Sequence, residues 1–288
     1  MPYRRFPLLE NRPVHLHASG TLSEEVPGTL HPILPYGTLG DFLEALPAGP
    51  TVRALKRTAS WMRRARQSDQ VTWVGLDVAA LLAEERIILL DLMERGWISS
   101  LSLTAQVAWT DFHVCLCGEA VSQEDHAFWS GNWGLAEESG LLWSVALREA
   151  DSKSCGLGEA LGEYLADSGM PGAARSLLAG AYRLNIPLTV HGGDMLPDWI
   201  HHPRFEPEAA YRVLGRDNHL LSTVWSRVVR GGVPLVLGQA GVLLQAVACA
   251  QAHVSALGIS SSFPGLALGA GADERVWRQA MHLHAPEP

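Results

Sequence analysis

From Val71 onward the chain alternates short apolar runs with longer amphipathic stretches, and this alternation constrains its fold more than any other feature. The short runs are typical of buried strands, whereas the longer stretches repeat Leu, Ile and Ala at helical spacing. Strands that alternate with helices form a parallel sheet covered by helices on both faces. We therefore expect an α/β fold of the Rossmann-like type, with strands at residues 71–75, 97–104, 186–191 and 233–237, and one or two more within 257–268.

The amphipathic stretches predict helices at residues 78–95, 112–117, 134–149, 157–167, 172–184, 207–230, 240–255 and 273–283. Gly96 and the pair Gly231-Gly232 follow two of them and provide helix stops. Residues 1–36 are rich in proline and lack periodicity, and residues 38–66 predict two short helices. We expect an N-terminal arm with short helices over residues 1–66, packed on an α/β domain over residues 67–288.

The composition is that of an ordinary globular protein, with 47% hydrophobic and 18% charged residues. The net charge of −8 argues against a nucleic-acid-binding protein, because phosphate affinity comes from clustered Lys and Arg. The basic residues between Arg53 and Arg66 are interpreted as the solvated face of a helix. No apolar run is long enough for a signal peptide or a membrane span, so we expect a cytoplasmic protein with no membrane partner.

The loops after the strands are the expected place for a ligand, because parallel sheets bind ligands at the carboxyl ends of their strands. In this chain those loops follow Gly75, Thr104, His191, Gly238 and Leu268. The glycine-rich segment at 269–271 lies between a predicted strand and a predicted helix. Its backbone amides suit a phosphate, although many such segments are simply tight turns.

One loop carries the densest cluster of potential metal ligands: His191, Asp194, His201 and His202. Imidazole nitrogens and carboxylates suit Zn²⁺ or Fe²⁺. Their spacing matches no HExxH-type pattern, and a plain polar loop at a strand end has the same composition. The sequence therefore favours no bound metal, with these four residues as the alternative.

Four segments of the chain resemble deoxyhypusine synthases in order and pattern. They are VTWVGLDVAALLAEERIILLDLMERGWISSLSLTAQVAWTDFHVCLCG, RSLLAGAYRLNIPLTVHGGD, LVLGQAG and GAGADERV. The segments LLDLMERG and SLLAGAYRLNIPLTVH are more similar still to a bacterial branch of that superfamily, which lacks the catalytic lysine. The resemblance extends from about residue 67 to residue 283.

The resemblance implies a parallel sheet that binds NAD at its strand ends, and a homotetramer with sites between subunits. It places Glu274 on the position that holds the substrate amine in the family. It assigns cofactor binding to Thr104, Ala105, Asp111, Asp194, Gly238 and Asp273.

The chain departs from this family where the chemistry takes place. Deoxyhypusine synthases form an imine on a lysine amine, and the equivalent position here is Ala280. The only lysines of the chain are Lys56 and Lys153. The paired glycines of the family's cofactor turn are replaced by Gln106 and Val107. The sequence therefore argues against a true deoxyhypusine synthase.

Three hypotheses follow for the function. The first is a protein that binds NAD, a small amine or a nucleotide at the strand ends, and that catalyses a transferase or oxidoreductase-type reaction without a lysine imine. Its candidate catalytic residues are Glu274, His191 and Asp194, with His113 as a further polar group. The second is a catalytically inactive subunit for assembly or regulation, which the lost lysine and the loop tryptophans favour. The third is a metal-dependent hydrolase that uses the loop from His191 to His202.

Overall fold

The structure is a computed structural model that describes residues 49–77, 85–117, 137–192, 203–238, 241–260 and 267–268. The chain divides into two compact units, Met1–Arg57 and Thr58–Pro288, and residues 49–57 are the described part of the first. This division falls at residue 57, whereas the sequence pattern places a boundary at residue 66. The predicted arm over 1–36 and the predicted helix over 273–283 lie outside the described residues.

Five parallel strands form one sheet. They are β1 (Thr72–Leu76), β2 (Ser100–Thr104), β3 (Leu188–His191), β4 (Val233–Leu237) and β5 (Ala267–Leu268). Their order across the sheet is β3-β2-β1-β4-β5, and every neighbouring pair is parallel. This order confirms the predicted α/β fold with a Rossmann-like sheet.

The described ranges contain eight α-helices. They are α1 (Pro50–Gln67), α2 (Glu85–Glu94), α3 (Ala105–Cys117), α4 (Glu137–Lys153), α5 (Leu157–Asp167), α6 (Leu177–Arg183), α7 (Pro207–Val228) and α8 (Gly241–Ala256). A single turn of 3₁₀ helix, Ala173–Arg175, precedes α6. Within these ranges, no helix is long and apolar enough to cross a membrane.

Three predicted elements differ clearly from the structure in their starts. The helix predicted over 112–117 begins at Ala105, directly after β2. The strand predicted from Trp97 begins at Ser100, because the left-handed Gly96 (φ +69°) turns the chain and the Trp97 N–H still bonds to the Leu92 carbonyl. The helix predicted over 172–184 begins at Leu177 after the short 3₁₀ turn. Ser176 separates the two pieces, since its backbone is extended and its hydroxyl accepts the N–H of Ala179 as an N-cap.

The sheet is buried on both faces, as the alternating pattern predicts. In β1, Trp73 packs with α7 and α8 on one face, whereas Val74 and Leu76 join α2, α3 and α6 in the core of the other. The Trp73 ring meets the Trp225 ring of α7 edge-to-face, with centroids 5.3 Å apart. Successive side chains of a strand point to opposite sides of the sheet. Helices α7 and α8 therefore cover one side, and α2, α3 and α6 cover the other.

The buried side chain of Asp217 on α7 contacts two neighbouring elements, α5 and β3. Asp217 Oδ2 accepts the backbone N–H of Gly158 at the start of α5 (3.1 Å) and that of Val190 in β3 (3.0 Å). Burial raises the pKa of Asp217 to about 8, although the hydrogen bonds from these N–H groups act to lower the pKa. A carboxyl group with this pKa is mostly protonated at pH 7.

The close packing of α5 on β3 gives a first prediction. A Cβ at Gly158 would overlap the carbonyl oxygen of Leu188, whereas a Cβ at Gly215 of α7 would meet nothing within 4 Å. We expect Gly158→Ala to lower the free energy of unfolding by about 1–3 kcal/mol, because backbone must shift to admit the methyl group. We expect the matched Gly215→Ala to be neutral or to stabilise by up to about 1 kcal/mol. Urea denaturation of both variants measures this, and equal effects would contradict the packing.

The raised pKa of Asp217 gives a second prediction. The unfolded chain loses this proton near its ordinary pKa of about 4, whereas the native state keeps it up to about pH 8. The native state binds more protons in that window, so the contribution of Asp217 to stability is complete below pH 4 and is lost as pH rises to about 8. The free energy of unfolding of the wild type, relative to Asp217→Asn, should therefore fall with rising pH by at most about 1.4 kcal/mol per pH unit. A difference that stays constant from pH 4 to pH 8 in urea titrations would show that Asp217 is ionised.

Candidate ligand-binding site

The strand order predicts a ligand crevice at the carboxyl edge of the sheet, between β1 and β4. The chain moves outward from β1 through β2 to β3, then returns to form β4 on the other side of β1. The connections that leave β1 and β4 therefore diverge from each other. In open parallel sheets this reversal point is where ligands bind.

Three residues lie side by side at this reversal point. The Asp77 N–H donates to the Leu237 carbonyl (3.0 Å), and the Thr104 hydroxyl donates to Asp77 Oδ1 (3.4 Å). Gly238 has a φ of +93°, and a Cβ there would lie 3.0 Å from the Asp77 Cβ. Glycine is required at this close approach, because other residues rarely adopt that φ. The structure thus brings together two predicted cofactor residues, Thr104 and Gly238, with Asp77, which the sequence analysis did not single out.

Two of the three residues after Thr104 belong to the interior. Ala105 begins α3 and is buried, and Val107 is fully buried in the core. The Val107 N–H donates to the Thr104 hydroxyl oxygen (3.3 Å), so Thr104 caps the helix while it contacts Asp77. Of the two residues that replace the family's glycines, Gln106 is therefore the one whose side chain is partly exposed.

His191 ends β3 and pairs in register with Thr104 of β2, so the predicted catalytic histidine lies one strand from the crevice. Its side chain is 3% exposed. Burial lowers the pKa of His191 to about 4, although its hydrogen bond to Asn218 acts in the opposite direction. The ring is therefore neutral at pH 7 and carries one proton.

A row of hydrogen bonds crosses three strands on the face that α7 and α8 cover. Trp73 Nε1 lies 2.7 Å from Ser102 Oγ, which lies 2.7 Å from Thr189 Oγ1. Thr189 Oγ1 lies 2.8 Å from His191 Nε2, and His191 Nδ1 lies 3.0 Å from Asn218 Oδ1. We call these five residues the polar row.

The polar row has one direction, because the indole N–H of Trp73 can only donate. Ser102 accepts from it and donates to Thr189, and Thr189 donates to His191 Nε2. The His191 proton therefore sits on Nδ1 and is donated to the Asn218 oxygen. The opposite direction would leave the buried Ser102 hydroxyl proton without an acceptor among the described residues, at a cost of about 1–3 kcal/mol.

A groove of about 460 Å³ lies between α7 and α8 and reaches the carboxyl end of β3 at His191. Leu214, Val242 and Ala246 provide apolar lining. The polar lining on the two helices is Tyr211, Asn218, His219, Ser222, Gln245 and His253. Gln245, Cys249 and His253 recur every four residues, so they form one stripe along α8.

The structure places Asp111, a predicted cofactor residue, away from solvent. Its carboxylate accepts the Ser176 hydroxyl (2.7 Å) and the N–H groups of Leu177 and Leu178 (3.0 Å each) at the start of α6. Arg86 Nε of α2 lies 3.3 Å from Oδ1, and both side chains are almost fully buried. Burial raises the pKa of Asp111, while these donors and Arg86 act against that rise. These contacts join α2, α3 and α6, which is a structural role.

The remaining predicted site residues are distributed as follows. His113 is half-buried, lies 4.6 Å from the Trp109 ring centroid, and has its pKa lowered by burial. Within the described ranges, no group of three or more His, Cys, Asp or Glu side chains is arranged to hold a metal ion. Both ring nitrogens of His191 have protein partners, so a metal would have to displace one of them. The other predicted residues, Asp194, His201, His202, Asp273 and Glu274, lie outside the described residues.

Sequence analysis missed Asp77, Asn218 and the inner members of the polar row. Asp77 was detectable in principle, because it follows β1 directly and the strand-end rule indicates that loop. Ser102 and Thr189 occupy inward positions of apolar strands, where a polar residue requires a partner. Asn218 had no signal, since it lies in the middle of an ordinary amphipathic helix.

Comparison with known proteins gives distant structural likeness only. No family model and no curated protein matches the chain. Among 43 matching chains of solved structures is a candidate deoxyhypusine synthase from Entamoeba histolytica, with 11% identity, a TM-score of 0.49, and coverage of 86% of this chain and 93% of that one. Another is a mutant of AgrE in its binary complex with L-arginine, with 13% identity and a TM-score of 0.43. It is matched over 82% of this chain, which spans 33% of the AgrE chain.

Proposed function

We propose that this chain binds a small organic ligand, with NAD as the first candidate, in the crevice between the carboxyl ends of β1 and β4. The observation that supports this most is the convergence of Asp77, Thr104 and Gly238 at the reversal point of the sheet. Such a crevice places polar side chains and helix starts around one opening.

The groups at the crevice suit a dinucleotide. The carboxylate of Asp77 can accept hydrogen bonds from ribose hydroxyls, and the lack of a Cβ at Gly238 allows close approach to the backbone. The helices α3 and α8 both begin at this edge, and neither has an acidic residue in its first turn. Their positive ends suit the pyrophosphate. NAD would supply a hydride acceptor, and Asp77, Thr104 and the helix starts would hold it.

The surroundings of Lys153 do not support imine chemistry. Lys153 lies at the end of α4, with its Nζ 2.7 Å from Glu163 and 4.0 Å from Glu149. The hydrogen bond to Glu163 raises the pKa of Lys153. A lysine that attacks a carbonyl or imine must be a neutral amine, which this setting disfavours. We therefore propose ligand binding without the lysine chemistry of deoxyhypusine synthases. Self-association into a tetramer stays a prediction.

Ligand binding at the crevice is tested by calorimetry and thermal unfolding with NAD, NADH and spermidine, each alone. A ligand of the native state at 100 times its Kd stabilises by about 2.7 kcal/mol, so binding of NAD should raise the Tm clearly. We expect Asp77→Asn to lower the affinity for NAD at least about tenfold, because a charged hydrogen-bond acceptor is replaced by an amide. The matched control is Asp91→Asn, which alters an exposed carboxylate paired with Arg95 on α2 and should leave affinity unchanged.

Three results would contradict or change the proposal. If the wild type and Asp77→Asn bind NAD with equal affinity, the crevice is not the NAD site. No response to either nucleotide, from a protein that unfolds cooperatively, would reject NAD binding and favour the alternative of an inactive assembly subunit. A response to spermidine alone would replace the nucleotide with an amine as the ligand of this site.

A further inference from the structure

The groove between α7 and α8 differs from the crevice in charge. Its described lining contains no Asp, Glu, Lys or Arg. A polyamine needs carboxylates, and a phosphate needs cationic side chains or several aligned N–H groups. The described lining therefore offers neither a carboxylate for a cationic ligand nor a Lys or Arg side chain for an anionic one, whereas Asp77 lies at the ends of β1 and β4.

The polar row decides which end of the Asn218 amide faces the groove. His191 Nδ1–H requires an acceptor, so the Asn218 oxygen points toward the ring and its NH₂ points away. Asn218 is exposed and lines the groove. No described residue accepts a hydrogen bond from this NH₂ group. A buried row that begins at Trp73 thus presents a donor of fixed orientation at the groove surface.

The surroundings of this donor are mainly apolar or neutral. Leu214, Val242 and Ala246 line the groove beside it, and the Tyr211 ring is 70% exposed at the α7 side. The Ser222 hydroxyl, one turn further along α7, donates to the backbone oxygen of Asn218 (3.1 Å). A ligand with an apolar body and one neutral acceptor matches this lining.

We propose that the groove between α7 and α8 binds a neutral small molecule through an amide-type carbonyl oxygen, which accepts a hydrogen bond from the Asn218 NH₂ that the polar row orients. Trp73, Ser102, Thr189 and His191 act as positioning residues, because none of them needs to touch the ligand. The site does not depend on nucleotide binding between β1 and β4.

Three probes of matched shape test the ligand class: benzamide, which is neutral, benzoate, which is anionic, and benzylamine, which is cationic. Binding is followed in the full-length protein by NMR, through the side-chain NH₂ signals of Asn218 and the backbone signals of α7 and α8. We expect benzamide to shift the Asn218 NH₂ signals with millimolar affinity, and the two charged probes to bind at least tenfold more weakly.

The substitution Asn218→Asp reverses the hydrogen-bonding character at one position without changing its shape. The carboxylate still accepts from His191 Nδ1–H but no longer donates to a ligand. We expect this variant to bind benzamide at least tenfold more weakly than the wild type and to bind benzylamine more tightly. Asn185→Asp, which makes the same change at an exposed residue outside the lining of the groove, is the control and should keep the wild-type preference.

The positioning role is tested by Thr189→Val, which removes the donor to His191 Nε2. We expect the ring ¹⁵N signals to show that the proton is no longer confined to Nδ1, because no hydroxyl then donates to Nε2. In molecules with the proton on Nε2, the Asn218 amide turns its oxygen to the groove, so benzamide binding should weaken. Thr189→Ser restores the hydroxyl and should restore both the Nδ1–H signal and benzamide binding, which a purely structural defect would not do.

The proposal is overturned by any of three results. One is benzamide that leaves the Asn218 signals of the folded wild type unchanged. Another is an Asn218→Asp variant that keeps the preference for benzamide over benzylamine. The third is a His191 proton found on Nε2 in the wild type. Each result can occur whether or not NAD binds, so the two proposals fail independently.

Discussion

Burial of the parallel sheet on both faces is the constraint from which the other features of this structure follow. A strand covered on both sides has no water for its polar side chains, so each of them must find a partner inside the protein. On the face under α7 and α8, Ser102 and Thr189 meet this demand by bonding to each other and to their neighbours on either side. The outcome is a continuous row with a single direction, and its last member lies at a groove.

The same constraint explains the two buried acids. Asp111 and Asp217 each accept backbone N–H groups at the start of a helix, and each joins elements that are distant in sequence. Asp217 lies next to Asn218, so the residue that attaches α7 to β3 and α5 also keeps Asn218 at the end of the polar row. The position of the groove donor is therefore determined by core contacts on one side and by the row on the other.

The carboxyl edge of the sheet has two candidate openings with different chemistry. At the ends of β1 and β4 lie the Asp77 side chain and the starts of α3 and α8, which have no acidic residue in their first turns. The described lining of the groove between α7 and α8 combines apolar and polar side chains and contains no Asp, Glu, Lys or Arg. Thr104 and His191 pair in register across β2 and β3, so both openings lie at the same edge of the sheet. This separation of charge is the basis for assigning a different class of ligand to each.

The sequence by itself determined the order of strands and helices and the fold class, because apolar periodicity records directly which residues are buried. It also indicated Thr104, His191 and Gly238, since strand ends are visible in the pattern. It could not show that Asp111 is occupied by the start of α6, because Ser176, Leu177 and Leu178 are 65 to 67 residues away in the chain. Only the tertiary structure decided the partners of Asp77, Asp217 and Asn218, since a hydrogen bond between remote segments depends on how the strands and helices pack and leaves no local periodicity.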